Sequence, residues 1–220
     1  MGEGFSELPE VEVRAMATND LVEVASLHRL IFSDYFLTHM GQSFLKYFYR
    51  EFIDQPGSYA FVAIYNNRII GCIAGTTNSA IHYNRFYRRN FSTLALIAAK
   101  RFLLDSYIRN NSLVRLSHIK VALHSLFSRV FGQPVISTGG ASSNIDARLL
   151  SIGVASELRR KGVANKLVDR FCKQLLQDGI ELVGLSVKSN NDRAITFYEK
   201  TGWQRELITE TAVYFRRSLV

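Results

Sequence analysis

Apolar positions along the chain change period several times, and each change predicts an element. Over residues 11–16 apolar and polar residues alternate, the period of a strand with one buried face. Thr18, Asn19 and Asp20 then supply helix-capping side chains ahead of Leu21, Val24, Leu27, Leu30 and Ile31, a stripe at helical spacing. Gly41 punctuates, and Phe44, Leu45, Phe48, Phe52 and Ile53 form a second, aromatic-rich helical face. Residues 59–65 and 68–76 flank Asn66-Asn67, and asparagine tolerates the positive φ of a two-residue hairpin turn. Farther along, residues 148–154 read as a buried strand, 162–177 as a helix and 182–187 as a strand. Residues 194–200 read as a helix closed by Gly202, and 211–216 as a last strand. The pattern predicts an α/β (α+β) sheet with helices on both faces, and no internal repeat or linker divides it.

The stretch from 79 to 134 reads differently. Leu94, Ile97, Leu104 and Ile108 mark one helix, and Leu116, Ile119, Leu123, Leu126, Phe127 and Val130 a second, with Asn110-Asn111 between them. We read a helical pair inserted between the third and fourth strands, with residues 1–220 otherwise forming one domain. Its charge sets it apart. It holds nine of the 27 Lys and Arg residues and one of the 19 Asp and Glu residues, so it carries the whole formal net charge of +8. Such a run is either a solvated face or a surface that meets an anion: a phosphorylated acceptor or an acidic membrane. No nucleic-acid reader motif accompanies it, so nucleic acid is not expected.

Composition removes other classes. With 47% apolar residues, 14 Gly and 3 Pro, the chain is neither disordered nor collagenous. Two cysteines, Cys72 and Cys172, make no disulfide framework. Glu3, Glu7, Glu10 and Glu12 stand where a secretory signal needs positive charge, and no apolar run reaches the ~18 residues of a membrane span, so a cytoplasmic protein is expected. No His, Cys, Asp and Glu set has metal-ligand spacing on one element, and no metal is expected.

Two motifs carry candidate chemistry. In the first, the strand ending at Val154 runs through a loop into a helix opening near Gly162, which aims backbone N–H groups and a positive helix end at one place. Gly162 allows close approach, Ala164 keeps the wall low, and Arg159, Arg160 and Lys161 add charge, an arrangement suited to a pyrophosphate. In the second, Asn191 and Ala194 open a helix that carries Tyr198 one turn on and ends at Gly202-Trp203. Asn191 is an N-cap, a hydrogen-bonding group for a ligand, or both. Tyr198 either packs its ring on the sheet or presents its phenol to a ligand.

Val154, Arg159-x-x-Gly162-x-Ala164 and Asn191-x-x-Ala194-x-x-x-Tyr198-x-x-x-Gly202-Trp203, taken in order, resemble the signature of the GCN5-related N-acetyltransferase (GNAT) superfamily. The resemblance covers residues 150–203, and the strand order upstream fits it too. It implies a mixed, mostly antiparallel sheet, with acetyl-CoA as co-substrate in a notch between two central strands. By resemblance, Ile152, Val154, Arg159, Arg160, Lys161, Gly162, Val163, Ala164 and Asn165 would line the donor site. Asn191 would meet the pantetheine arm, and Tyr198 would be the general acid on the leaving thiolate. The basic insertion departs from the family's short link at that point.

The base is not legible. Many family members place a glutamate on the strand equivalent to residues 148–154, and this strand has none. Asp34 and His39, in a link that in the family walls the acceptor pocket, are candidates, as are His82, His118 and His124; Glu157 reads as a solvated loop residue. None is singled out. The expected function is acetyl-CoA-dependent N-acetylation of the primary amine of a small molecule, such as an anionic or nucleotide-linked amino sugar. The alternatives are a peptide or protein N-acetyltransferase and a non-catalytic acyl-CoA-binding module whose basic hairpin engages a partner or membrane. A homodimer is left open.

Overall fold

The computed structural model describes residues 11–106, 108 and 146–220. A seven-stranded sheet, β1 (Glu12–Ala15), β2 (Ser58–Tyr65), β3 (Arg68–Thr76), β4 (Arg148–Val154), β5 (Leu182–Lys188), β6 (Gln204–Ile208) and β7 (Ala212–Ser218), runs in the order β1-β2-β3-β4-β5-β7-β6. Every neighbouring pair is antiparallel except β4 and β5. Helices α1 (Leu21–Ile31), α2 (Phe36–His39), α3 (Gln42–Asp54) and α4 (Ser79–Leu104) precede β4. Helix α5 (Val163–Gln177) joins β4 to β5, and α6 (Asp192–Lys200) follows β5.

Alternation along the strands divides the core in two. Phe61, Ile73, Val154, Leu185 and Phe215 face α5, whose Leu167, Phe171 and Leu175 are fully buried. Val62, Cys72 and Ala74 face the other way, against Val24 of α1, Phe48 and Phe52 of α3 and Phe86 of α4. Glycine sets the closeness of α5: a Cβ at Gly75 would collide with the Phe171 ring and the Arg148 carbonyl. The hairpin between β2 and β3 turns through Asn66 and Asn67 with φ of 48° and 59°, the left-handed conformation their sequence predicts.

Three differences from the sequence pattern have physical reasons. Asp20 stands at the N-cap of α1 but its side chain makes no capping bond to that helix; it receives Arg14 at 2.7 and 2.9 Å and the Ala17 N–H at 2.8 Å, tying β1 to the turn over Thr18–Asp20. The first inserted helix begins at Ser79, not near Leu94, because Asn78 accepts the Ile81 N–H at 3.0 Å and starts it there. Glu51 of α3 is buried opposite Arg85, Arg89 and Asn90, so this part of the basic stretch is not a purely solvated face. The expected second inserted helix, from Leu116 to Val130, lies outside the described residues. β6 was not expected at all. Among the described residues no helix is long and apolar enough to cross a membrane, and no cluster of His, Cys, Asp and Glu could hold a metal ion.

Candidate active site

β4 and β5 register at a single position, Arg148 with Gly184. Past it they part, leaving the last turns of both strands without a ladder between them. The Ala155 N–H points to β3, donating to Ile70 at 2.8 Å, so by strand alternation the Val154 N–H points away from β3 and into the gap. Ile152 and Val154 put their side chains on the α5 side, in one cluster with Tyr198.

The loop at the open end of the gap places the other donor-site residues of the first motif together. A short 3-10 turn over Ser156–Leu158 leads to Arg159, whose Nε donates to the Val154 carbonyl at 3.2 Å. Arg160 and Gly162 take positive φ, 61° and 76°, and swing the chain into α5. Gly162 has no side chain to cap that helix, so its first-turn N–H groups, through Asn165, find no partner within it. Val163 is buried in the core and offers the site only its backbone. Arg193 of α6, which the motifs left aside, stands close enough to help lower the Arg159 pKa, behind the larger effect of burial. Four cations and an uncapped helix end thus meet at one edge of the gap, a geometry that fits a pyrophosphate.

Asn191 does two things. Its side chain accepts the Ala194 N–H at 3.2 Å, capping α6, and its Nδ2 donates to the Tyr35 hydroxyl at 3.4 Å. Tyr198 is buried, with its ring against Phe197, Trp203 and Phe215, the surroundings its packing reading expects. Burial, and the nearby Tyr35 phenol, hold its pKa above the ordinary tyrosine value.

Tyr35 was missed in the sequence, where one aromatic between Phe32 and Phe36 in a short link carries no signal of its own. It joins Asn191, the edge of Phe32, and Lys188, whose Nζ stands 3.9 Å over its ring. Phe32 in turn packs beside Gly153, where a Cβ would lie 3.2 Å from its ring. The link between α1 and α2 therefore covers the gap from the side opposite α5.

The candidate bases are scattered. His82 stacks on Phe52 at 4.3 Å, shares a hydrogen bond with Ser58 at 3.0 Å, and is pushed down to about 4 by burial; it is a core residue. His39 pairs with Asp105 at 3.2 Å, away from β4 and β5. Asp34 is exposed, and Glu157 is an exposed acceptor for Ser156, as its loop position predicts. His118 and His124 lie outside the described residues. A histidine the sequence did not suggest, His28, shares a hydrogen bond with Tyr49 at 2.8 Å, and Tyr49 with Ser151 of β4 at 3.0 Å. Arg148 lies across Gly184, with Glu206 and Tyr214 near its charge.

Residues 113–203 match the sequence model described as the Acetyltransferase (GNAT) family. A curated acetyltransferase of Sodalis glossinidius (strain morsitans) is 31% identical over 81 residues, 37% of this chain and 57% of that protein. The aligned stretch thus spans little more than half of that relative. Among solved structures, the PaiA N-acetyltransferase of Thermoplasma acidophilum in complex with coenzyme A superposes with a TM-score of 0.56 at 13% identity, covering 95% of this chain and 99% of that one. An acetyltransferase of the GNAT family from Staphylococcus aureus Mu50 gives 0.57 at 11% identity over 96% and 100% of the two chains. At these identities the likeness is one of fold.

Proposed function

We propose that this chain is a GNAT-type acetyltransferase, as its match to that family's model over residues 113–203 and its fold support, and that it transfers an acetyl group from acetyl-CoA to the primary amine of an anionic small molecule. The observation that carries this reading is the gap between β4 and β5, with an uncapped basic loop at its open end and Tyr198 on its α5 side.

Acetyl-CoA would supply an activated acyl group and a thiolate leaving group. The N–H groups from Gly162 to Asn165, with Arg159, Arg160, Lys161 and Arg193, would hold its pyrophosphate. The exposed edge of β4 at Ile152 and Val154 would take the pantetheine amides, with the Asn191 amide at the far wall. The Val154 N–H, aimed into the gap, would polarise the thioester carbonyl. Burial keeps the Tyr198 phenol protonated across the physiological range, so it would have a proton to share with the departing sulfur. The amine must attack neutral, because an ammonium has no lone pair. We assign no base and let that proton leave through solvent.

Charge supports the acceptor class. Lys188, whose Nζ stands over the Tyr35 ring, puts a cation beside the α1–α2 link, and Arg148 lies across Gly184 where β4 and β5 part. An amine carrying a phosphate or carboxylate should be acetylated with kcat/KM at least roughly tenfold above its neutral counterpart, and Arg148→Met should reduce that preference. A preference for polyamines would contradict the acceptor class. Acetyl-CoA binding without transfer to any amine would favour the acyl-CoA-binding module.

A further inference from the structure

His28 of α1 is a buried titratable residue that acetyl transfer, as set out above, does not use. It is 3% exposed, and burial lowers its pKa to about 4, so the ring is neutral at neutral pH. A neutral imidazole has one N–H and one bare nitrogen. Nδ1 shares a hydrogen bond with the Tyr49 hydroxyl at 2.8 Å, and that hydroxyl shares another with Ser151 of β4 at 3.0 Å. Nε2 is buried and has no hydrogen-bonding partner among the described residues. An orphaned polar atom in a core costs stability whichever nitrogen holds the proton, so packing alone would favour an apolar ring here.

The contacts of the ring lead toward the gap. Its centroid lies 4.7 Å from that of Phe32, and Phe32 meets Tyr35 edge-on at 5.2 Å. Tyr35 receives the Asn191 Nδ2 at 3.4 Å. Ser151 and Gly153 stand two apart on β4 and share the face turned away from α5, where Tyr49 meets one and Phe32 the other. One continuous set of side chains therefore starts at Ser151 on β4 and runs through Tyr49, His28, Phe32 and Tyr35. It ends at Asn191, across the gap at the start of α6. Within the α1–α2 link the hydrogen bonds are local: the Tyr35 N–H donates to the Phe32 carbonyl at 3.0 Å, and Thr38 Oγ1 to the same oxygen at 2.6 Å. They shape the turn of the link but do not fix where it lies over Gly153. The bond from His28 to Tyr49 does so from below, because it sets the plane of the ring on which Phe32 rests.

We propose that His28 is a positioning residue for acetyl transfer, whose hydrogen bond to Tyr49 fixes Phe32 and Tyr35 over Gly153 and so shapes the acceptor side of the gap. It touches neither acetyl-CoA nor the amine. Its kinetic consequence rests on the acetyl-transfer reading; the placement of the link rests on the contacts alone.

Two variants separate the hydrogen bond from the bulk of the ring. His28→Phe keeps a ring beside Phe32 and removes both the bond and the orphaned nitrogen. Tyr49→Phe removes the same bond from its other end. Hydrogen–deuterium exchange over residues 32–39 should quicken at least roughly fivefold in each, while α3 and β4 keep their protection. The thermal midpoint of His28→Phe should be no lower than that of the unaltered protein. With O-phosphoethanolamine as the probe amine, KM should rise at least roughly fivefold in both variants while acetyl-CoA affinity holds. Loss of protection spread across α1, α3 and β4 with a lowered midpoint would make His28 an ordinary packing residue and overturn the proposal. Unchanged exchange in the link would overturn it too, as would faster exchange with KM unaltered. Failure of the unaltered protein to acetylate the probe would count against the proposed acceptor class instead, and the exchange pattern would still decide whether His28 places the link.

Discussion

Tyr198 is held by three aromatic rings and raised in pKa by burial, so removing its hydroxyl should leave the packing intact and change only proton supply. Tyr198→Phe is expected to lower kcat by about 10²-fold or more while acetyl-CoA affinity changes little; equal kcat values would remove the acid role. Tyr35 tests the opposite wall. Tyr35→Phe removes the hydroxyl that meets Asn191 at 3.4 Å and should raise KM for the acceptor more than it lowers kcat. Gly75 marks the limit of closeness between sheet and helix. Gly75→Ala would drive a methyl into the Phe171 ring and the Arg148 carbonyl, and should cost about 1–3 kcal/mol, read as a fall in the urea midpoint.

At the scale of elements, what the sequence made legible follows from local chemistry. The β2–β3 hairpin was readable because Asn66-Asn67 announces positive φ between alternating strands, and α5 because Leu167, Phe171 and Leu175 repeat at helical spacing behind a glycine. The residues that the resemblance assigns to the donor site lie on one strand end and one loop, with Asn191 at the start of α6. β6 was not readable: Gln204–Ile208 is short and mostly exposed, bulges between Arg205 and Leu207, and offers no clean alternation. The start of α4 was hidden because its inward residues include His82 and the polar positions facing Glu51. Tyr35 and His28 were hidden for another reason. Each gains its meaning from a partner far along the chain, Asn191 for one and Tyr49 with Ser151 for the other, and no local pattern encodes such contacts.

For the whole molecule, two buried histidines set an acid limit. His28 and His82 are each lowered from 6.5 to about 4, chiefly by burial, so both are neutral in the fold at neutral pH. Between pH 6.5 and 4 the unfolded chain binds protons that the folded chain refuses, and stability falls as pH drops through that window. Each group accounts for up to roughly 3 kcal/mol of that loss. Urea unfolding at pH 7 and pH 4.5 should differ accordingly, and His82→Gln should flatten the difference; pH-independent midpoints would contradict the buried, neutral assignment. The central claim, an acyl-donor site in the β4–β5 gap, is tested most directly by calorimetric titration with acetyl-CoA of the unaltered protein beside Gly162→Glu. A side chain at Gly162 would be strained by its φ of 76°, and its carboxylate would repel the pyrophosphate. The account predicts micromolar binding that the variant abolishes while keeping its thermal transition. Equal affinity in both proteins, or none in either, would contradict it.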